Sequence, residues 1–338
     1  ITLQSLGGDF SDGVYSIVIS DAGYPTAIIT DVAGNALVDP IFSITIDSTA
    51  PTASLALDGS ASDLDPDPKE VLVASAQSSF VMNLTDGTGT GINDGTVVAS
   101  SVQITKDGVG LVQGVDYSFS YDAVTDTITL TSLTGGFDDG LYEITVSESG
   151  VTTIITDNAG NALVDPVFTV QVDGTAPAAS MPLDGSPSDH DPDPKEMLVN
   201  TILSSFVIDL SDGTGSGIDD STVTSGTVSI TKDGNPLTLG ADYTFSYDAA
   251  ADVITLTSLT GGFKDGTYQI EVSNPPSTGV ITDLAGNALV DPVFTVVIDM
   301  PYPTAWMEQP LDNGASDMDP DLKEVLAVSY THLTLPTK

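Results

Sequence analysis

The residues best suited to chemistry in this sequence are aspartates at short, regular spacing. Asp63, Asp65, Asp67 and Glu70 recur as Asp189, Asp191, Asp193 and Glu196, and again as Asp317, Asp319, Asp321 and Glu324. Carboxylates at i, i+2 and i+4 converge in a calcium loop and also share one face of an extended strand. At such spacings each neighbouring pair repels by roughly 0.6–0.8 kcal/mol in water and severalfold more near a protein surface. A bound hard cation reverses that repulsion. The segment does not follow the EF-hand pattern, because no Gly holds the sixth position and no Glu the twelfth. Pro66, Pro68, Pro192 and Pro194 stiffen the backbone toward polyproline II, whose threefold twist splays the acids. Two readings follow: a Ca2+ site, or a solvated loop that repels itself.

A second acidic set flanks a glycine-rich segment. Asp86 and Asp94, with Asn93, bracket DGTGTGIND, and Asp212, Asp219 and Asp220 bracket its counterpart. The glycines let backbone carbonyls turn inward, so either a weaker calcium loop or a flexible hairpin fits. The segment lacks the Lys of a phosphate-binding loop. A third set, Asp47, Asp173 and Asp299, closes three hydrophobic strands. Ions there would stiffen the connection, although a strand-ending Asp is the simpler account. Asp283, followed by Gly286 and Asn287, reads first as a tight turn, since Gly and Asn tolerate positive φ.

Enzymatic chemistry is not expected. Ser and Thr are abundant, but no nucleophile has a partner base. His190 lies in the acidic segment, where the other copies carry Leu64 and Met318. Paired carboxylates can serve glycoside hydrolysis, yet these recur in every copy of an exposed loop.

The whole composition carries the same bias. Of 48 acidic residues 41 are Asp and 7 are Glu, against 7 Lys and no Arg, for a net charge of -41. Asp over Glu favours turns and hard-cation ligands. No basic footprint exists for nucleic acid or for anionic lipid. Without cysteine there is no disulfide framework, and no apolar run is long enough to span a bilayer.

The elements that position these acids repeat. ITDVAGNALVDP, with Asp31, recurs with Asp157 and Asp283 at a constant step of 126 residues. SLTGGFDDGLYEITVS (132–147) recurs as SLTGGFKDGTYQIEVS (258–273), and the acidic segments keep nearly the same step. Boundaries fall after Asp47, Asp173 and Asp299. The expected units are the C-terminal part of a repeat (1–47), two complete repeats (48–173 and 174–299), and the N-terminal part of another (300–327). At 126 residues a repeat can fold singly. Residues 328–338, VSYTHLTLPTK, match no other copy and are similar to an in-frame translation of a sequencing-library adapter, so a non-native tail is expected.

Within 174–299, short strands alternate with turn signals every 8–12 residues, as in a sandwich. Ala178–Pro182 is expected as an edge strand. Phe206, Ile208 and Leu210 alternate with Val207 and Asp209. Tyr243, Phe245 and Tyr247 face one way, and Ile254, Leu256 and Leu259 line the returning strand. The fold class is all-β, as tandem β-sandwich domains.

The D-x-AGN-x-L turn, the DG-x-G-x-GI loop, the DY-x-F-x-YD strand and the D-x-TAP joint, in this order, resemble bacterial immunoglobulin-like repeats of large cell-surface adhesins and biofilm-matrix proteins. The resemblance covers 1–327, although Met300-Pro301-Tyr302-Pro303 departs from the TAP joint. It implies an extended stalk of immunoglobulin-like sandwiches outside the bacterial cell, with calcium at loops and joints. Its partners would be the neighbouring repeats and, through domains outside this chain, surface glycans or other cells. Two alternatives remain. A carbohydrate-binding module of a secreted depolymerase would expose an aromatic platform, and a surface-layer protein would self-assemble laterally.

Overall fold

The computed structural model describes residues 2–19, 28–37, 41–147, 153–164, 167–273, 279–290 and 293–300. The segment carrying Asp317, Asp319, Asp321 and Glu324 lies outside the described residues.

The described part of the first unit holds a two-stranded sheet of β1 (Gly13–Val18) and β2 (Ile41–Ile46). The next repeat contributes β3 (Thr52–Leu55), β4 (Glu70–Val73), β5 (Ser79–Thr85), β6 (Val102–Lys106), β7 (Val109–Gly110), β8 (Tyr117–Asp122), β9 (Thr127–Ser132), β10 (Gly140–Val146) and β11 (Val167–Val172). One sheet has the order β3-β5-β9-β8 and the other β4-β11-β10-β6-β7. The third unit repeats this with β12 (Ala178–Ser180), β13 (Glu196–Val199), β14 (Ser205–Ser211), β15 (Val228–Lys232), β16 (Asn235–Pro236), β17 (Tyr243–Asp248), β18 (Val253–Ser258), β19 (Gly266–Val272) and β20 (Val293–Ile298). Its sheets run β12-β14-β18-β17 and β13-β20-β19-β15-β16. Pairing is antiparallel except for β4 on β11 and β13 on β20.

Period-two alternation decides which side chains are inside. Phe206, Ile208 and Leu210 of β14 are buried, and so are Ile254 and Leu256 of β18. Tyr243 is buried, with Phe245 and Tyr247 packed against the same core. Leu259 breaks the expectation: β18 ends at Ser258, and Leu259 is out of phase with the inward Ile254 and Leu256, so it is exposed. Each repeat has one core between its two sheets, from Leu55 to Val172 and from Met181 to Ile298. Each core centres on an aromatic trio. Phe80 stacks on Phe137 at 4.3 Å with Tyr142 edge-on, and Phe206 stacks on Phe263 at 4.2 Å with Tyr268 edge-on. The Tyr142 hydroxyl donates to the Asp138 carbonyl at 2.8 Å, so the buried ring keeps its polar tip satisfied.

The order of strands carries three distant segments to one end of each sandwich. β11 runs out into the link to the next repeat, and β14 runs out into the glycine-rich segment that starts at Asp212. The AGN turn pairs with that segment through a bridge between Ile218 and Asp283. The preceding repeat has the equivalent bridge between Ile92 and Asp157.

Candidate metal centre at the repeat joints

The AGN turn is built by its first residue. Asp157 Oδ1 accepts from the backbone N–H of Gly160 at 2.6 Å and of Asn161 at 2.8 Å, and Oδ2 accepts from Asn161 Nδ2 at 2.7 Å. Gly160 sits at φ 98°, which a side chain resists. Asp283, Gly286 (φ 86°) and Asn287 repeat the construction. These bonds make a turn, as the sequence implies, but the Asn amide does more. Asn161 Nδ2 also donates to the carbonyl of Asp47 at 3.1 Å, and Asn287 Nδ2 donates to that of Asp173 at 2.9 Å. The turn of one repeat thereby grips the last residue of the repeat before it.

The strand-ending aspartate answers with its side chain. Asp47 Oδ2 accepts from the Thr90 N–H in the glycine-rich segment of the following repeat, and Asp173 Oδ2 accepts from Ser216 N–H, both at 2.6 Å. The link is held from the preceding side as well. Asp12 accepts from the N–H and hydroxyl of Ser48 and the hydroxyl of Thr49. Asp139 accepts from the N–H of Gly174 and the hydroxyl of Thr175.

This arrangement brings three carboxylates from three different segments together. Asp47, Asp86 and Asp157 each offer an oxygen within 4.8 Å of the other two, and Asp173, Asp212 and Asp283 do the same at the next joint. Ca2+–oxygen bonds are about 2.3–2.6 Å, so atoms at this separation can share one ion. Asp86 and Asp157 are buried, as are Asp173 and Asp283. Asp86 is only 7% exposed, and its Oδ1 has no hydrogen-bond partner; Oδ1 of Asp212 has none either. A buried carboxylate oxygen without a donor costs free energy unless a cation meets it. Burial is the main cause raising the Asp86 carboxyl above the ordinary carboxylate range, with the Asp47 and Asp157 charges adding to it. Asp212 is raised in the same way, by burial and then by Asp173, Asp283 and Asp139. Asp157 is also buried, but the donors of Asn161 and Gly160 outweigh that and hold it low.

Glycine is required beside these acids for room. A Cβ on Gly89 would stand 2.2 Å from Asp86 Oδ2 and 2.8 Å from Asp47 Oδ2, and one on Gly215 would stand 2.3 Å and 2.9 Å from Asp212 and Asp173. A cleft of about 360 Å³ opens at the second joint, lined by Asp139, Asp173, Thr175 and Asp212. One of about 320 Å³ opens at the first, lined by Asp12, Asp47, Thr49 and Gly89.

The acidic segments adopt a different local structure. Asp63 accepts three backbone N–H bonds, from Gly59, Asp65 and Leu72, and Asp189 accepts from Gly185, Asp191 and Leu198. These two residues organise the loop. Burial pushes the Asp189 carboxyl up, and the three donors more than offset it and lower it. Asp65, Asp67 and Glu70 do converge within 4.8 Å, as do Asp191, Asp193 and Glu196. A left-handed Lys69 (φ 68°) turns the chain back so that Glu70 rejoins the aspartates despite the prolines. Asp65 is half-buried while Asp67 and Glu70 are exposed, which leaves that group largely in solvent.

The glycine-segment acids divide. Asp86 and Asp212 reach the joint. Asp94 and Asp220 turn away to Tyr121 and Tyr247, whose hydroxyls lie 2.8 Å and 2.6 Å from them. Asp219 caps a short 3-10 turn by accepting from Ser221 N–H. Spacing alone does not place Asp157, Asp283 or the two Asn side chains at the joint. The available signal was that the strand-ending Asp, the glycine-segment Asp and the AGN Asp all recur at one period.

No known family profile and no curated protein sequence matches the chain. Among solved structures, the titin I-band fragment I67–I69 is similar at 14% identity, with a TM-score of 0.34, over 75% of this chain and 66% of that one. The titin tandem A164–A165 is similar at 14% identity and a TM-score of 0.31, over 76% of this chain and all of that one. The N-terminal part of the bacterial S-layer protein SbsC is similar at 13% identity and a TM-score of 0.24, over 73% of this chain and 44% of that one. The repeats are tandem immunoglobulin-like β-sandwiches. Among the described residues, no helix is long and apolar enough to cross a membrane.

Proposed function

We propose that the chain is a spacer: serial sandwiches that hold a distal binding domain away from a bacterial surface, as in an adhesin or matrix protein, with calcium stabilising the array. The role is structural and not catalytic. The observation that supports this best is the joint itself. Consecutive repeats are connected by a link capped on both sides, by Asp139 of one repeat and Asn287 of the next. Such connections restrict how one sandwich can pivot on another, which is what a spacer requires. Calcium fits the donor set, which is hard oxygen throughout, and extracellular calcium modules typically bind at about 10⁻⁴–10⁻³ M. The joint triads carry that part of the reading further than the acidic segments, because of these two groups, among the described residues, the triads alone include a buried carboxylate oxygen lacking a donor, while the acidic segments do not. Buried aromatics weigh against a carbohydrate platform: Phe80, Phe137 and Tyr142 are all inside the core.

The test is the solution length of arrays of two, four and six repeats in calcium. The spacer reading expects the maximum dimension to rise in proportion to repeat number. A dimension that levels off, as in a folded-back cluster, would contradict it.

A further inference from the structure

We infer that β8 and its copy β17 are docking edges for an extended, basic segment of another protein, which joins the sandwich as an added strand. This goes beyond the spacer reading and rests neither on it nor on calcium.

The register shows which backbone groups are free. Leu84 N–H donates to the Asp126 carbonyl and Ser132 N–H to the Ser78 carbonyl, so the even-numbered residues of β9 turn their backbone toward β5. Leu133 N–H donates to the Asp116 carbonyl, so the odd-numbered residues of β9 face the even-numbered residues of β8. The N–H and C=O groups of Phe119 and Tyr121 therefore point away from the sheet. Among the described residues, no backbone hydrogen bond beyond the sheet reaches them. The bonds of Leu210 to Asp252, Ser258 to Ser204 and Leu259 to Asp242 fix the same register in the next repeat, where Phe245 and Tyr247 face outward.

The other sheet edges are covered or short. On β4, the Leu72 N–H donates to Asp63 Oδ1 and its carbonyl accepts from Leu64 N–H, so the acidic segment seals that edge. Asp189 and His190 seal Leu198 of β13 in the same way. A bridge to Val164 meets β3, β12 has three residues, and β7 and β16 have two each. By contrast β8 and β17 are six residues long and hold no Pro, Lys or Gly to blunt them. An edge of this kind is a template for another strand, whose main chain supplies the affinity.

Charge decides the partner. Asp116 and Asp122 stand at the two ends of β8. The Tyr121 hydroxyl lies 2.8 Å from both Asp94 and Asp126, and the Tyr247 hydroxyl lies 2.6 Å from Asp220 and 2.8 Å from Asp252. One phenol hydrogen serves one carboxylate at a time, which leaves room for a cationic donor beside each tyrosine. A second copy of this chain would bring the same acids and a net charge of -41, and would be repelled. Alternate residues of an added strand share a face, so basic residues at every second position form one row beside the exposed Ser120 and Asp122.

The experiment is hydrogen exchange and calorimetric titration of the full chain with a peptide of about eight residues alternating lysine with valine. Its control is the same peptide N-methylated at alternate residues, which keeps the charge and loses the edge hydrogen bonds. The wild type is expected to bind one peptide per complete repeat and to slow exchange at the Phe119, Tyr121, Phe245 and Tyr247 amides by about tenfold or more. The double variant Ser120→Lys/Ser246→Lys alters outward positions of both edges and should weaken binding about tenfold or more. Equal binding of the N-methylated peptide would show diffuse attraction between opposite charges and overturn the inference. So would no binding, or binding without slower exchange at these four amides. Protection of the four amides without peptide, growing with chain concentration, would assign the edge to a second copy and overturn the basic partner.

Discussion

The side-chain amide of Asn161 donates to the main-chain carbonyl of Asp47 at 3.1 Å, across 114 residues and from one repeat to another. The same amide closes its own turn on Asp157. One side chain therefore serves both the local fold and the joint. Asn161→Ala with Asn287→Ala should lower stability by about 1–2 kcal/mol per site, the usual scale for losing a pair of partly buried hydrogen bonds. Asn→Asp should be worse than Asn→Ala, because it adds a carboxylate beside Asp157 and removes the donor. Chemical denaturation of the three forms in chelator tests the order.

Asp86 makes a prediction whose sign changes with the ion. Without a cation its buried carboxylate is disfavoured, and its carboxyl is raised by burial and by Asp47 and Asp157. A carboxyl raised in the folded state opposes folding at neutral pH; the penalty fades as pH falls through the raised folded-state value and is gone below the ordinary carboxylate range. Asp86→Asn with Asp212→Asn should therefore raise the melting temperature in chelator, by ~2–4 °C per kcal/mol relieved. The same substitutions should abolish any rise produced by calcium. Melting curves in both conditions check both signs.

Tyr121 and Tyr247 give a prediction in alkali. Burial first, and then hydrogen bonds to Asp126 and Asp94, hold the Tyr121 hydroxyl above its ordinary range; burial with Asp220 and Asp252 does the same for Tyr247. An unfolded tyrosine ionises near pH ~10. The stabilisation from these hydroxyls is therefore fully present below about pH 10 and lost progressively above it. Tyr121→Phe with Tyr247→Phe should flatten that part of the stability profile, measured by denaturant titration across the alkaline range.

The acidic segment separates structure from charge. Asp189 accepts from three backbone donors, and Asp189→Ala should cost ~2–3 kcal/mol. Asp191→Asn and Asp193→Asn touch more exposed acids and should change stability by less than ~0.5 kcal/mol in chelator. Equal effects from all three would mean that the loop is held by something other than the Asp189 bonds.

Much of the fold was legible because period and alternation are local properties. Phe206, Ile208 and Leu210 alternate in sequence and are buried in the sandwich. Leu259 differs because it is out of phase with Ile254 and Leu256, so alternation itself turns it outward, and the strand stops one residue before it. The joint was legible only in pieces. Asp47, Asp86 and Asp157 each stand out as recurring acids, but nothing in their spacing states that β2, the glycine segment and the AGN turn meet. That is fixed by strand order and by the bonds of Asn161 and Thr90. Asp63, Asp65, Asp67 and Glu70 drew attention for the opposite reason, since their neighbourhood is visible in sequence. Their differing roles depend on which backbone N–H groups the loop aims at Asp63.

The central claim is that the repeat joints are rigid connectors completed by a cation. Small-angle X-ray scattering of the chain in calcium and in chelator tests it most directly, with Asp86→Asn/Asp212→Asn as the control. The account predicts a longer maximum dimension and a narrower spread of conformations in calcium, and no such change in the variant. Identical wild-type profiles in the two conditions would contradict it.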